Sequence, residues 1–106
     1  MKVRRTETLE QAWIGDAVLT LYARERILRE GQSIDQPKAV RMTSNQFLNG
    51  IGEPSEVEAE LGRVYLREGL DAAFEWIQTR LMPLHEKQEA RRHSPRRNSI
   101  DTLERE

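Results

Sequence analysis

The acidic residue whose surroundings most suggest chemistry is Asp16. It directly follows Gly15 inside the apolar pattern LEQAWIGDAVLTLY, which runs from residue 9 to residue 22. If both faces of such a helix are covered, a carboxylate among these apolar neighbours must be paired, hydrogen-bonded or bound to a cation. The alternative is that Asp16 lies on a narrow solvated face of its helix, as many surface aspartates do.

A second group of carboxylates lies in the stretch SEVEAELGRVYL, which spans residues 55–66. Glu56 and Glu60 share one helical face and are expected in solvent, whereas Glu58 is expected near a packed seam. Mg²⁺ takes oxygen ligands and usually keeps several waters, so that one or two protein carboxylates can hold it. Asp16 and Glu58 on two packed helices would form such a site, although any helical bundle offers similar pairs.

Four helical stretches, with no strand, are predicted to position these residues. The first spans about residues 8–30 and carries two apolar stripes, which predicts that both of its sides are buried. The next two begin after Asp35 and after Gly52. The last begins at Asp71, and Pro83 ends or kinks it.

The composition predicts one small all-α domain over residues 1–84 and a charged, flexible tail over residues 85–106. The chain has 106 residues, of which 37% are hydrophobic and 33% charged, so its core is lean and a partner subunit would add stability. The absence of cysteine excludes disulfides and thiolate metal sites. No apolar run approaches the roughly 20 residues of a membrane span. We therefore expect a cytoplasmic protein without a membrane partner.

The tail concentrates positive charge in a chain whose net charge is only −1. From residue 87 to residue 97 there are five Lys or Arg and one Glu. Arg91, Arg92, Arg96 and Arg97 are candidate contacts to RNA phosphates, each of which would add salt-dependent affinity. A solvated tail without a ligand is the alternative interpretation of the same residues.

Three segments, taken in chain order, resemble the ribonuclease III family. The segment WIGDAVL, residues 13–19, resembles the family's signature helix, and AWIGDA is most similar to the short Mini-ribonuclease III type, which lacks a double-stranded RNA-binding domain. RMTSNQ, residues 41–46, is similar to the following helix of the family. VEAELGRVYLREGLDAA, residues 57–73, is similar to the second signature. The resemblance covers roughly residues 8–82.

The resemblance implies a two-fold homodimer that cleaves double-stranded RNA with Mg²⁺ or Mn²⁺ held by four acidic residues per site. Asp16 and Glu58 match two of the four and would be both catalytic and metal-binding. The other two positions fall on Ala12 and Ser55, and the Ser55 hydroxyl would hydrogen-bond a metal-bound water. Trp13 would insert into the partner at the dimer interface, where Gly15 would allow close contact.

Two departures from the family pattern leave the function open. Two of the four acidic ligands are absent, and the five residues GIGEP, 50–54, replace a helix and loop of the family. The chain is therefore either an RNA-processing endoribonuclease or a non-catalytic relative that serves as a dimeric scaffold for duplex RNA or a protein. The third alternative is a plain helical dimerisation module without an RNA role.

Overall fold

A computed structural model of the chain describes residues 2–31 and 33–92, with side chains from Arg5 onward. Within these ranges the chain forms six helices and no strand, which confirms the predicted all-α class. The helices are α1 (Lys2–Arg29), α2 (Gln36–Thr43), α3 (Asn45–Leu48), α4 (Pro54–Glu68), α5 (Leu70–Arg80) and α6 (Met82–Arg92). No helix in the described ranges is long and apolar enough to cross a membrane.

The second predicted helix is divided at Ser44 into α2 and α3. The Asp35 carboxylate begins α2 by accepting the backbone N–H of Lys38 at 3.0 Å. The Ser44 hydroxyl begins α3 in the same way, by accepting the N–H of Phe47 at 3.1 Å. Because Ser44 itself has extended dihedral angles, the chain changes direction there. Val40, near the end of α2, is exposed.

A single hydrophobic core joins all six helices, and α4 is the main partner of α1. Its largest fully buried side chains come from each helix and from the α5–α6 junction: Leu19, Met42, Leu48, Leu61, Ile77, Leu81 and Met82. The long first helix thus serves as the support against which α2, α4 and α5 pack.

In the single chain only one of the two apolar sides of α1 is buried, although the sequence predicts burial of both. One side faces the core through Val18, Leu19 and Tyr22. The stripe that begins at Leu9 and Trp13 is exposed instead, since no described element of the chain covers it. Periodicity shows that a helix has two apolar faces, but it does not show which chain covers each of them.

Residues 85–92, which were predicted to lie in the flexible tail, are part of a helix. Residues 85–92 belong to α6, and His85 is buried with only 3% of its surface exposed. Its ring meets Phe47 edge to face, with centroids 6.3 Å apart. Glu89, one turn further, pairs with Arg41 of α2 at 2.8 Å. These contacts attach α6 to the domain, so the boundary predicted at residue 84 is too early.

Candidate functional site

The candidate site lies where α1 crosses α4, at a contact between two glycines. A Cβ atom added to Gly15 would overlap the backbone carbonyl oxygen of Glu58, and one added to Gly62 would overlap that of Gln11. Only glycine permits backbones to approach so closely within a helix. The Arg63 guanidinium donates to the Gln11 side-chain oxygen at 2.9 Å and holds the same crossing from its edge.

This crossing brings the two predicted carboxylates together, since Asp16 follows Gly15 on α1 and Glu58 supplies the carbonyl group that Gly15 contacts. Glu58 is partly buried, whereas Asp16 is exposed. Burial, a hydrogen bond with Asp16 and the negative charge of Asp16 raise the pKa of Glu58 to about 7. Two carboxyl groups that share a hydrogen bond cannot both ionise without cost. The pair therefore holds a proton at a pH where isolated carboxyl groups have lost theirs.

A third carboxylate, Glu53, lies near this pair and was not singled out from the sequence. Its side chain accepts the N–H of Glu56 at 2.8 Å and so begins α4. Its negative charge also contributes to the raised pKa of Glu58. An acid directly before Pro54 is typical of a helix start, which is the signal that would have placed Glu53 at this end of α4.

The donor set of the pair fits a hard divalent cation of low protein coordination. Asp16 and Glu58 offer carboxylate oxygens, and a bound cation would remove the repulsion that raises the Glu58 pKa. Among the described residues no group of three or more His, Cys, Asp or Glu side chains is arranged to hold a metal. A cation at this site would depend on two carboxylates and water.

The two positions at which the family pattern has further acids carry small side chains here. Ala12, one turn before Asp16, is buried, so this position contributes neither charge nor an oxygen ligand. Ser55, in the first turn of α4, is partly exposed and lies three residues before Glu58, on the same side of the helix. Its hydroxyl is thus the one neutral polar group of the predicted set.

The structure separates the two residues that were predicted to form the dimer interface. Gly15 is buried against α4 of its own chain, so the close contact that it makes here is within the protomer. Trp13 is 76% exposed and remains free to meet another molecule. Of the predicted RNA contacts, Arg91 and Arg92 are exposed at the end of α6, while Arg96 and Arg97 lie outside the described residues.

No protein-family model, curated protein or solved structure matches the chain. The resemblance to the ribonuclease III family therefore stays a prediction from motifs.

Proposed function

We propose that the chain is a divalent-cation-dependent endoribonuclease of the ribonuclease III type, which processes double-stranded RNA in the cytoplasm. The observation that carries this proposal is the pairing of Asp16 with Glu58 across a helix crossing fixed by two glycines. The fixed backbone crossing holds the α-carbons from which the two carboxyl groups extend close together. Such preorganisation is what a metal-dependent phosphodiester cleavage site requires.

In this proposal Asp16 and Glu58 bind the cation, Mg²⁺ or Mn²⁺. When bound, the cation supplies a water of lowered pKa and stabilises charge on the phosphodiester oxygens. Glu58 would hold the cation in its ionised form, because the positive charge would offset the effects of burial and of Asp16 that raise its pKa. The Ser55 hydroxyl, three residues before Glu58, orients a water molecule of the site by a hydrogen bond.

The proposal includes a two-fold homodimer formed along the exposed stripe of α1. Leu9, Trp13 and Leu21 are exposed apolar side chains at spacings of four and eight residues, which places them on one helical face. Large apolar groups in such a row are typical of protein–protein contacts. Asp16 is three residues from Trp13, so pairing along this face would put the Asp16–Glu58 pair of each protomer beside the contact.

A non-catalytic scaffold is the second candidate, and one observation favours it. Only two of the four acidic positions of the ribonuclease III pattern carry a carboxylate here, since Ala12 and Ser55 occupy the other two. Glu53 is a further carboxylate near the pair. In this alternative the protein keeps the dimer and binds duplex RNA or a protein without cleaving the phosphodiester backbone.

The deciding experiment incubates the protein with long duplex RNA and Mg²⁺ or Mn²⁺, beside the variants Asp16→Asn and Glu58→Gln. The endoribonuclease predicts that cleavage falls by at least a hundredfold in each variant. Glu60→Gln is the matched control: Glu60 is on the same helix as Glu58 but pairs with Arg80 at the surface, 3.4 Å away. Its cleavage should equal that of the unchanged chain.

The outcomes separate the candidates. Retarded migration of duplex RNA in a gel without cleavage supports the scaffold and contradicts the endoribonuclease. Cleavage that persists in Asp16→Asn would identify a contaminating nuclease or another site, and it would also contradict the proposal.

A further inference from the structure

A cavity of about 440 Å³ lies on another part of the surface, between the α2–α3 segment and the carboxyl-terminal half of α6. Its lining includes Arg41 and Ser44 from the first segment and Gln88, Glu89, Arg91 and Arg92 from α6. None of these side chains belongs to the Asp16–Glu58 pair. The cavity is thus a separate feature, with a different chemistry.

Positive charge exceeds negative charge in this cavity. Three guanidinium groups line it, those of Arg41, Arg91 and Arg92, against the single carboxylate of Glu89. Burial alone would raise the pKa of Glu89, but the neighbouring positive charges, chiefly the guanidinium of Arg41, lower it below its usual value. Glu89 therefore stays ionised. Two positive charges are left in excess.

The arginine of α2 is held in a fixed orientation. Arg41 donates to both carboxylate oxygens of Glu89, with distances of 2.8 Å and 3.3 Å. A two-point contact of this kind restricts the guanidinium plane. Its remaining N–H groups are therefore directed before any ligand arrives, which lowers the entropy cost of binding.

The two arginines of α6 make weaker contacts within the protein than Arg41 does. Arg92 is 3.8 Å from Glu89, at the outer limit of an ion pair, and half of its side chain is exposed. Among the described residues no acidic side chain lies within ion-pair distance of Arg91, which is also exposed. Both guanidinium groups are thus available to an anion outside the protein.

Neutral donors complete the lining. The Ser44 oxygen accepts the Phe47 N–H, so the hydroxyl hydrogen of Ser44 is still free to donate. The Gln88 amide adds two more N–H groups at the other wall. Guanidinium, hydroxyl and amide donors around one cavity match the oxygen atoms of a phosphate group.

We propose that this cavity binds a backbone phosphate of double-stranded RNA and anchors the duplex to the α2–α6 side of the domain. The inference rests on the proposed function for the identity of the ligand. A polyanion is favoured over a free phosphate because half-exposed arginines bind a single phosphate weakly, whereas several contacts along one strand add up. The sequence adds Arg96 and Arg97 a few residues after Arg92, in a chain whose net charge is −1.

The test measures binding of the full chain to a fluorescently labelled RNA duplex by anisotropy, in EDTA and over a range of salt concentrations. The double variant R91A/R92A removes the two exposed guanidinium groups from this one phosphate contact, so the slope of log affinity against log salt should fall in magnitude by about 1. Affinity at low salt should fall by roughly tenfold or more. The matched control is R67A/R80A, which removes two exposed arginines from α4 and α5.

The control variant should keep the slope and affinity of the unchanged chain. Equal losses in both double variants would show only a general effect of net charge, and an unchanged slope in R91A/R92A would show that these arginines contact no phosphate. Either result would overturn the proposal. Circular dichroism of each variant verifies that the fold is kept. Because EDTA removes divalent cations, binding here is independent of cleavage, and a failure of the nuclease proposal leaves a positive result of this test intact.

Discussion

Gly15 of α1 and Gly62 of α4 face each other at the crossing of the two longest helices. A Cβ atom on Gly15 would stand 3.0 Å from the backbone nitrogen of Gly62, and one on Gly62 would stand 3.2 Å from the nitrogen of Gly15. Both glycines lie inside helices, where glycine costs about 1 kcal/mol relative to alanine. The close approach of the backbones accounts for their presence at these positions.

Replacement of Gly15 by alanine should therefore destabilise the protein in spite of the better helix propensity of alanine. The added methyl group meets the carbonyl of Glu58, which is backbone and cannot rotate away. We expect Gly15→Ala to lower the free energy of unfolding by about 2 kcal/mol or more, measured by urea denaturation. Gly52→Ala is the control: the nearest atom to its Cβ is a side-chain carbon of Val57 at an ordinary 3.4 Å. Equal stability of Gly15→Ala and the unchanged chain would disprove the tight crossing.

The close approach at Gly15 was predictable from the sequence, but its partner was not. A glycine inside an apolar helical pattern indicates that another backbone is near, and this prediction is confirmed. The family resemblance assigned that backbone to a second molecule, whereas it is that of α4 in the same chain. Gly62 carries the complementary signal, a second glycine within a helix. The sequence does not show which helices pack together, so it cannot show that these two glycines contact each other.

The raised pKa of Glu58 predicts that its contribution to stability falls as the pH rises. Its pKa is about 7 in the folded protein, whereas a glutamate without these neighbours has a pKa of 4.5. Folding therefore favours the protonated carboxyl group. The contribution is complete below pH 4.5 and is lost as the pH rises through 7. Glu58→Gln cannot ionise, and its urea midpoint relative to that of the unchanged chain should rise between pH 5 and pH 8. A difference that is constant over this range would contradict the Asp16–Glu58 pairing.

A divalent cation should reverse that loss if the pair binds it. At pH 8, where the folded protein carries two adjacent carboxylates, Mg²⁺ or Mn²⁺ should raise the melting temperature in a concentration-dependent way. Asp16→Asn and Glu58→Gln should each abolish the shift, while Glu60→Gln should keep it. A shift of the same size in all four proteins would indicate a general ionic effect rather than a site.

His85 predicts a pH dependence of the opposite sign. Burial lowers the pKa of His85, and the positive charges of Arg26 on α1 and Lys38 on α2 lower it further. The negative charge of Glu89 on α6 opposes this effect. Because folding favours the neutral ring, the His85 contribution is complete above its ordinary pKa of 6.5 and declines as the pH falls below that value. Glu86 on α6 partly offsets this effect. Between pH 7 and pH 5, the free energy of unfolding of His85→Gln should therefore fall by less than that of the unchanged chain. An equal loss would place His85 in solvent.

The burial of His85 shows what the sequence did not reveal about the carboxyl-terminal part. Proline and glycine positions indicate several helix ends, since their backbone restrictions act locally, and Gly31, two residues after the end of α1, has a positive φ of 81°. His85 lies in a polar stretch whose composition resembles a tail, and its ring packs against Phe47, which is distant in sequence. The Asp16–Glu58 pair was found because both residues belong to motifs, whereas Glu53 was missed because it belongs to none.

The exposed apolar stripe of α1 is the predicted dimer interface. Trp13 is the most exposed aromatic side chain among the described residues, and its burial in a partner would remove a large apolar area from water. Truncation of a tryptophan at the centre of an interface costs about 2 kcal/mol or more, which corresponds to roughly a thirtyfold weaker dimer. Sedimentation equilibrium should thus show a dimer for the unchanged chain and a shift toward monomer for Trp13→Ser. Leu66→Ser removes another exposed apolar side chain, on α4, and should leave the association unchanged. A chain that sediments as a monomer at every concentration would remove the dimer from the proposed function.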